Sequence, residues 1–316
     1  MKLKKGSALI KVLSAAGISI GAIAAFNKIS FLKGRKNEED TNGEYYQWTY
    51  GKIYYKTAGN GKPLLLLHSL YPGCCMAEWD ETVNQLSAKY KVYTIDMLGY
   101  GMSDKPKMTY TAFIYASLIK DFIENVIKSP ACVLAANGSG AAAVTAAKIY
   151  QNCITKLMIV SPNGVNDDMA VNSSRIKRII MEIPLMGTAY YNIMTSKTAI
   201  SMFVKKYGFL SKEIDRSDFI KEMYHSAHSE NGNARYAFAS FITNYMNMDI
   251  KQYISSLNMP LCVAWGEENE LNSFENMKML RDIMPKAVYF IFEKTKIFPH
   301  IENPIEFSNC AEGFFR

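Results

Sequence analysis

Five short apolar runs set the frame of this chain: "KPLLLLH", "KVYTID", "ACVLAA", "KLMIVS" and "PLCVAWG". Each is short for a helix and lacks polar alternation, the pattern of parallel strands covered on both faces. Between them lie stretches with apolar residues at helical spacing, such as "AEWDETVNQLSAKY" and "AFIYASLIKDFIENVIK". Strands alternating with helices in this way predict one doubly wound, mostly parallel α/β sheet. Ahead of it, "YYQWTYGKIYYKTAG" alternates about a turn near Gly51, which predicts an antiparallel strand pair.

The rhythm breaks between residues 163 and 255. This interval has no strand-like run and is rich in Met, Tyr and Phe at helical spacing, as in "RIIMEIPLMGTAYYNIM", "AISMFVKKYGFL" and "RYAFASFITNYM". An inserted helical cap is predicted there. Its apolar stripes serve either ordinary packing or the cover of an apolar small-molecule ligand. The expected organisation is an N-terminal segment (1–36), a polar linker (37–44), an α/β core (45–162 and 256–316) and the cap (163–255).

Residues 8–26, "ALIKVLSAAGISIGAIAAF", are apolar apart from Lys11 and serines. As a helix this stretch is about 28 Å long, close to the hydrocarbon thickness of a bilayer. Residues 1–36 hold eight Lys or Arg and no Asp or Glu. A single-pass N-terminal membrane anchor is expected, with a cleaved secretory signal ending near "AIA" (22–24) as the alternative. The six cysteines form no disulfide framework and no CxxC pattern, which favours a cytoplasmic position for the domain.

Charge changes the picture less than the formal +7 suggests. Of 36 Lys and Arg, the eight in residues 1–36 set aside leave 28 against 29 Asp and Glu. The remainder is near neutral and carries no electrostatic footprint for nucleic acid. No motif implies a cofactor. His225 and His228 sit at i and i+3 with no third ligand nearby, so no metal site is expected. Nothing in the sequence sets the oligomeric state.

From residue 45 to the end the chain resembles the alpha/beta-hydrolase-fold family. "LLLLHSLYPGCCMAEWDETVNQLSAKYKVYTIDMLGYGMSDKP" is similar to the family's HG loop, the helix containing Trp79, and the "DLxGxGxSDxP" turn, here residues 96–106. "KLMIVSP", "MPLCVAWGEENEL" and "FPHIENPIEF" match the later strand ends and loops in order. The resemblance implies an alpha/beta-hydrolase fold, a mostly parallel doubly wound sheet with an inserted helical cap. It also implies a nucleophile, a base and an acid at set positions.

At those positions the residue types change. The family writes its nucleophile turn as small-x-nucleophile-x-small, because a strained backbone there tolerates no bulky neighbours. Laid without gaps, "VLAANGSGAAA" puts Asn137 at the nucleophile position, with Ala135, Ser139 and Gly140 as small residues. A register shifted by two makes Ser139 the nucleophile, with Asn137 beside it. Spacing favours the first register, and Ser139 is the one hydroxyl at the turn.

The family's carboxylate position reads Asn269, with Glu268 and Glu270 as neighbouring substitutes. Its base position reads Ile297, which has no proton-accepting atom, and His300 stands three residues on. The oxyanion loop is partly kept. His68 matches, Ser69 replaces glycine, and the Leu70 N–H is the expected first donor. The second comes from Gly138 or Gly140, depending on register.

Three readings follow. The favoured one is a membrane-tethered hydrolase-family protein with a pocket for an apolar acyl or ester-type small molecule and impaired or atypical catalysis. A second is an active serine hydrolase of esters, amides or thioesters, using Ser139, His300 and Glu268 or Glu270. A third is a non-catalytic protein that binds a small molecule or lipid, its two loop N–H groups holding a carbonyl or carboxylate without cleaving it.

Overall fold

A computed structural model describes residues 3–34, 42–165, 175–211, 214–229 and 232–316. Its strands are β1 (Glu44–Trp48), β2 (Gly51–Ala58), β3 (Lys62–Leu67), β4 (Tyr90–Ile95), β5 (Ala131–Ala136), β6 (Ile154–Val160), β7 (Leu261–Gly266) and β8 (Val288–Phe292). They form a single sheet in the order β1-β2-β4-β3-β5-β6-β7-β8. The β1–β2 and β2–β4 pairs are antiparallel and the rest parallel. The alpha/beta-hydrolase fold expected from the sequence is therefore the observed one.

The central strands show why their runs lack alternation. In β5, Ala131, Val133 and Ala135 join one apolar cluster while Cys132, Leu134 and Ala136 join another on the opposite face. Both faces exclude water, so both need apolar side chains. The edge strand β8 escaped sequence reading because it is largely unburied, with Phe292 its one buried residue.

After α1 (Leu3–Gly34), the helices α2 (Asp80–Leu86), α3 (Ala112–Phe122) and α4 (Gly138–Ile149) alternate with the strands. Between β6 and β7 come α5 (Arg175–Glu182), α6 (Met186–Met194), α7 (Lys197–Phe203), α8 (Ser217–His228), α9 (Arg235–Ile242) and α10 (Lys251–Ile254). The base of this excursion is tied by the Ile250 N–H, which donates to Gly164 O at 2.9 Å. The chain closes with α11 (Phe274–Ile283), α12 (Pro299–Glu302) and α13 (Pro304–Phe315). α3, α4 and α11 cover one face of the sheet, and α2 and α13 the other.

The N-terminal expectation needs correction. Among the described residues no helix is long and apolar enough to cross a membrane. The single-pass anchor falls, and so does the side of the membrane assigned with it. The second half of α1 lies against α6 and α8 instead. Asn27 is buried, donates Nδ2 to Leu185 O at 3.0 Å and accepts from Asn192 Nδ2 at 2.9 Å. Gly34 O accepts from His225 Nδ1 at 2.7 Å. The helix runs on past the apolar stretch into polar residues that need protein partners. Residues 37–41 of the expected linker lie outside the described residues, and Glu44 already belongs to β1.

Candidate functional site

The C-terminal end of β5 is where an open parallel sheet exposes a ligand-facing turn. There Asn137 occupies the single position between β5 and α4, with φ 50° and ψ −115°. With ψ at −115° the residue lies outside the left-handed helical well that Asn tolerates, so the backbone of this turn is strained. The Asn137 N–H donates to Val160 O at 2.8 Å, and its carbonyl accepts the Gly140 N–H at 3.0 Å. Small neighbours permit this close turn. A Cβ on Gly138 would stand 3.1 Å from Leu70 Cβ, and one on Gly140 3.1 Å from Pro162 Cβ.

Ser139 sits in the first turn of α4 and is fully buried. Its Oγ lies against the carbonyl oxygens of His68 and, at 3.2 Å, Ala136. The hydroxyl therefore ties α4 to the end of β3 and is not aimed at His300.

The site's polar core is a chain of bonds beneath Asn137. Asn137 Nδ2 donates to Ser69 Oγ at 2.8 Å. Ser69 donates its hydroxyl to Glu78 Oε1 at 2.7 Å and its N–H to Glu78 Oε2 at 2.9 Å. His300 Nε2 lies 3.0 Å from Glu78 Oε1, and its ring stacks on Trp79 with centroids 4.3 Å apart. His68 accepts the Met97 N–H on Nε2 at 3.0 Å, so its proton is on Nδ1 and goes to Ser69 O at 2.7 Å. Glu78 was missed in the sequence. Its signal was an acidic residue immediately before a core tryptophan, the first of the three in "EWDE".

The other positions are not drawn into this chain. Asn269 Oδ1 accepts the Leu271 and Asn272 N–H groups at 3.0 and 2.9 Å, a local turn that shapes the loop after β7. Glu268 is exposed, and its N–H donates to Thr295 O. Glu270 is exposed and pairs with Lys296 Nζ at 2.6 Å, which holds its carboxyl below the ordinary range. Ile297 is buried in an apolar cluster with Tyr71, Phe209 and Phe298. His225 and His228 take separate backbone partners, Gly34 O and Tyr224 O.

Above the turn, the space between sheet and inserted helices is filled by rings. Tyr71 packs against Phe203, Phe241 and Phe298 at centroid distances of 5.4, 5.6 and 6.4 Å. Its hydroxyl stands 3.5 Å from Asn137 Oδ1. Burial pushes the Tyr71 hydroxyl and the Cys74 thiol upward, so neither ionises readily. Among the described residues, the N–H groups of Leu70 and Gly138 have no hydrogen-bond partner.

Comparison with known proteins agrees with this architecture. The family described as alpha/beta hydrolase fold matches residues 62–304. A pimeloyl-[acyl-carrier protein] methyl ester esterase of Aliivibrio fischeri is 23% identical over 268 residues, 83% of this chain and 96% of that protein. An uncharacterised protein of Mycobacterium tuberculosis is 22% identical over 266 residues, 82% of this chain and 77% of that protein. The solved serine hydrolase of carbazole degradation superposes with a TM-score of 0.70 at 18% identity, covering 86% of this chain and 98% of that one. At that identity the likeness speaks for the fold alone.

Proposed function

The chain belongs to the alpha/beta hydrolase fold family, and on that premise we propose that it binds an apolar acyl compound through its carbonyl without hydrolysing it. One observation carries the reading: the nucleophile turn holds a buried asparagine bonded to Ser69, beside two unpaired N–H donors. A carboxamide has no nucleophilic oxygen comparable to a serine alkoxide. The base position holds Ile297 and the acid position Asn269, so no side chain there takes or relays a proton.

What remains is the binding half of such a site. The Leu70 and Gly138 N–H groups suit a carbonyl oxygen, whose partial charge they stabilise. The rings of Tyr71, Phe203, Phe241 and Phe298 suit an apolar chain. Residues 163–255 act as a cap in this reading, and an entering acyl chain displaces Tyr71 from the space it fills. The Aliivibrio relative acts on a methyl ester, which makes a methyl ester a suitable probe.

The test is to titrate the full chain with methyl octanoate while following octanoate release and labelling by a serine-reactive fluorophosphonate. Saturable binding with neither release nor labelling is expected. Turnover or stoichiometric labelling that disappears in Ser139→Ala would overturn the reading and make the protein a serine hydrolase.

A further inference from the structure

The chain contains five Asn-Gly pairs, at residues 42–43, 60–61, 137–138, 163–164 and 231–232. Among the described ones, Asn137 is the one with positive φ, and it occupies the turn between β5 and α4. An asparagine side chain and the backbone nitrogen that follows it close a five-membered ring, here through Gly138 N and the C, Cα, Cβ and Cγ atoms of Asn137. Such a ring is nearly flat, which requires Cβ to lie close to eclipsing the following nitrogen. On an L-residue Cβ is offset from N by about 120° around the Cα–C bond. The ψ of −115° at Asn137 therefore sets Cβ within about 10° of that eclipse. The folded turn already holds the backbone torsion that a free chain has to find.

The surroundings keep that torsion and favour attack. Asn137 is pinned at both ends of its backbone, by Val160 O on its N–H and by the Gly140 N–H on its carbonyl. The Gly138 N–H opens α4, so no carbonyl of the helix accepts it, and no hydrogen bond is broken when the nitrogen gives up its proton. Glycine also brings no side chain to shield the nitrogen. The amide under attack is held at both ends: Nδ2 donates to Ser69 Oγ at 2.8 Å, and the Tyr71 hydroxyl stands 3.5 Å from Oδ1. Burial pushes the Tyr71 hydroxyl upward, so it keeps its proton and is a donor for the oxygen on which negative charge develops.

We propose that Asn137-Gly138 is a self-deamidating site, where the folded turn converts the encoded asparagine to aspartate with water as the co-reactant. Gly138 N loses its proton and bonds to Asn137 Cγ, the Cγ–Nδ2 bond breaks, and Nδ2 departs with that proton as ammonia. A water molecule then adds to Cγ of the cyclic imide, the bond from Cγ to Gly138 N breaks, and a proton returns to that nitrogen. One water is consumed, one ammonia is released, and nothing is oxidised or reduced. Ring closure needs no water, so burial of the turn slows only the second step and lets the imide accumulate. Opening at the other carbonyl would route the main chain through Cβ as isoaspartate. That carbonyl is held by the Gly140 N–H, so the folded turn directs opening to Cγ and to ordinary aspartate. The product carries a carboxylate where the family resemblance places the nucleophile. The inference does not depend on the carbonyl-binding reading, since only the chain and water take part.

The test uses the full wild-type chain, incubated near neutral pH at physiological temperature in two samples, one folded and one in urea. Both are digested in mildly acidic solution, which preserves the imide, and the Asn-Gly peptides are followed by mass spectrometry with fragmentation that separates aspartate from isoaspartate. Asn60, exposed and followed by Gly61, is the internal control. Loss of Asn137 is expected to be at least about fivefold faster in the folded sample than in urea, the advantage of a backbone already fixed. Its peptide is expected to appear first about 17 Da lighter, as the imide, and then about 1 Da heavier, as aspartate with little isoaspartate. Asn60 should gain no such advantage from folding and should yield isoaspartate in both samples. An Asn137 that stays intact in the folded chain while Asn60 reacts overturns the proposal. So does loss of Asn137 that is no faster folded than in urea, or that ends mainly in isoaspartate.

Discussion

The side-chain amide of Asn137 donates to the hydroxyl of Ser69 at 2.8 Å, joining the turn after β5 to the loop after β3 across 68 residues of sequence. Both residues are fully buried. The bond therefore works where water cannot replace it, and its loss leaves a polar atom unsatisfied.

This gives a prediction about the turn itself. Asn137→Ala loses the bond but keeps the positive φ, so it is expected to lower stability by about 1–2 kcal/mol. Asn137→Gly loses the same bond yet relaxes the backbone, and should be more stable than the alanine variant by about 1 kcal/mol. Urea denaturation of the pair reads this directly. Equal midpoints would mean that the turn stores no strain.

The turn at residues 96–106 makes a steric prediction. Gly99 has φ 90°, and a Cβ there would meet Tyr110 Cε1 at 2.8 Å and Ala237 Cβ at 2.9 Å. Gly99→Ala is expected to cost about 2–3 kcal/mol through backbone strain and overpacking. Thermal melting of a purified Gly99→Ala protein at the wild-type temperature would contradict it.

Acid sensitivity should arise at His228. Its Nδ1 donates to Tyr224 O at 2.8 Å while Nε2 is buried without a partner, and burial holds its pKa below the ordinary 6.5. The unfolded ring takes up its proton near 6.5, and the folded ring does so only at lower pH. Between those values the unfolded state binds more protons, so this contribution is full above about 6.5 and is lost as pH falls through the folded value. The slope of stability against pH in that window is expected to shrink in His228→Gln. An unchanged slope would assign the acid response elsewhere.

The contact of α1 with α6 is testable at Asn27. Asn27→Ala leaves Leu185 O and Asn192 Nδ2 without their partner, and a cost of about 1–3 kcal/mol is expected. Limited proteolysis should show faster cleavage within α1 than in the wild type. No change in either measure would show that the helix is not held by these bonds.

The sheet and its order of elements were legible because the signals are local. A run such as Ala131–Ala136 reveals burial on both faces through its own composition, whatever its neighbours are. β8 was not legible, since an edge strand that is half in water has no need of such a run. Residues 8–26 misled for a related reason. Their apolar length is a property of the stretch alone, while the buried Asn27 contact with Leu185 and Asn192 appears only when α6 is in place.

The same division runs through the site. Sequence alone determined the residue types: an asparagine or a serine near the turn, an isoleucine before "FPH", a histidine and a serine in the loop after β3. Tertiary structure decided which of them meet. The end of β5 against Val160 puts Asn137 in the turn and turns Ser139 toward His68. Glu78 and His300 lie 222 residues apart, and neither carries a local pattern that names the other. Helix and strand periodicity are set by neighbours a few positions away, whereas a buried hydrogen bond is set by two surfaces that exist only after the chain has folded.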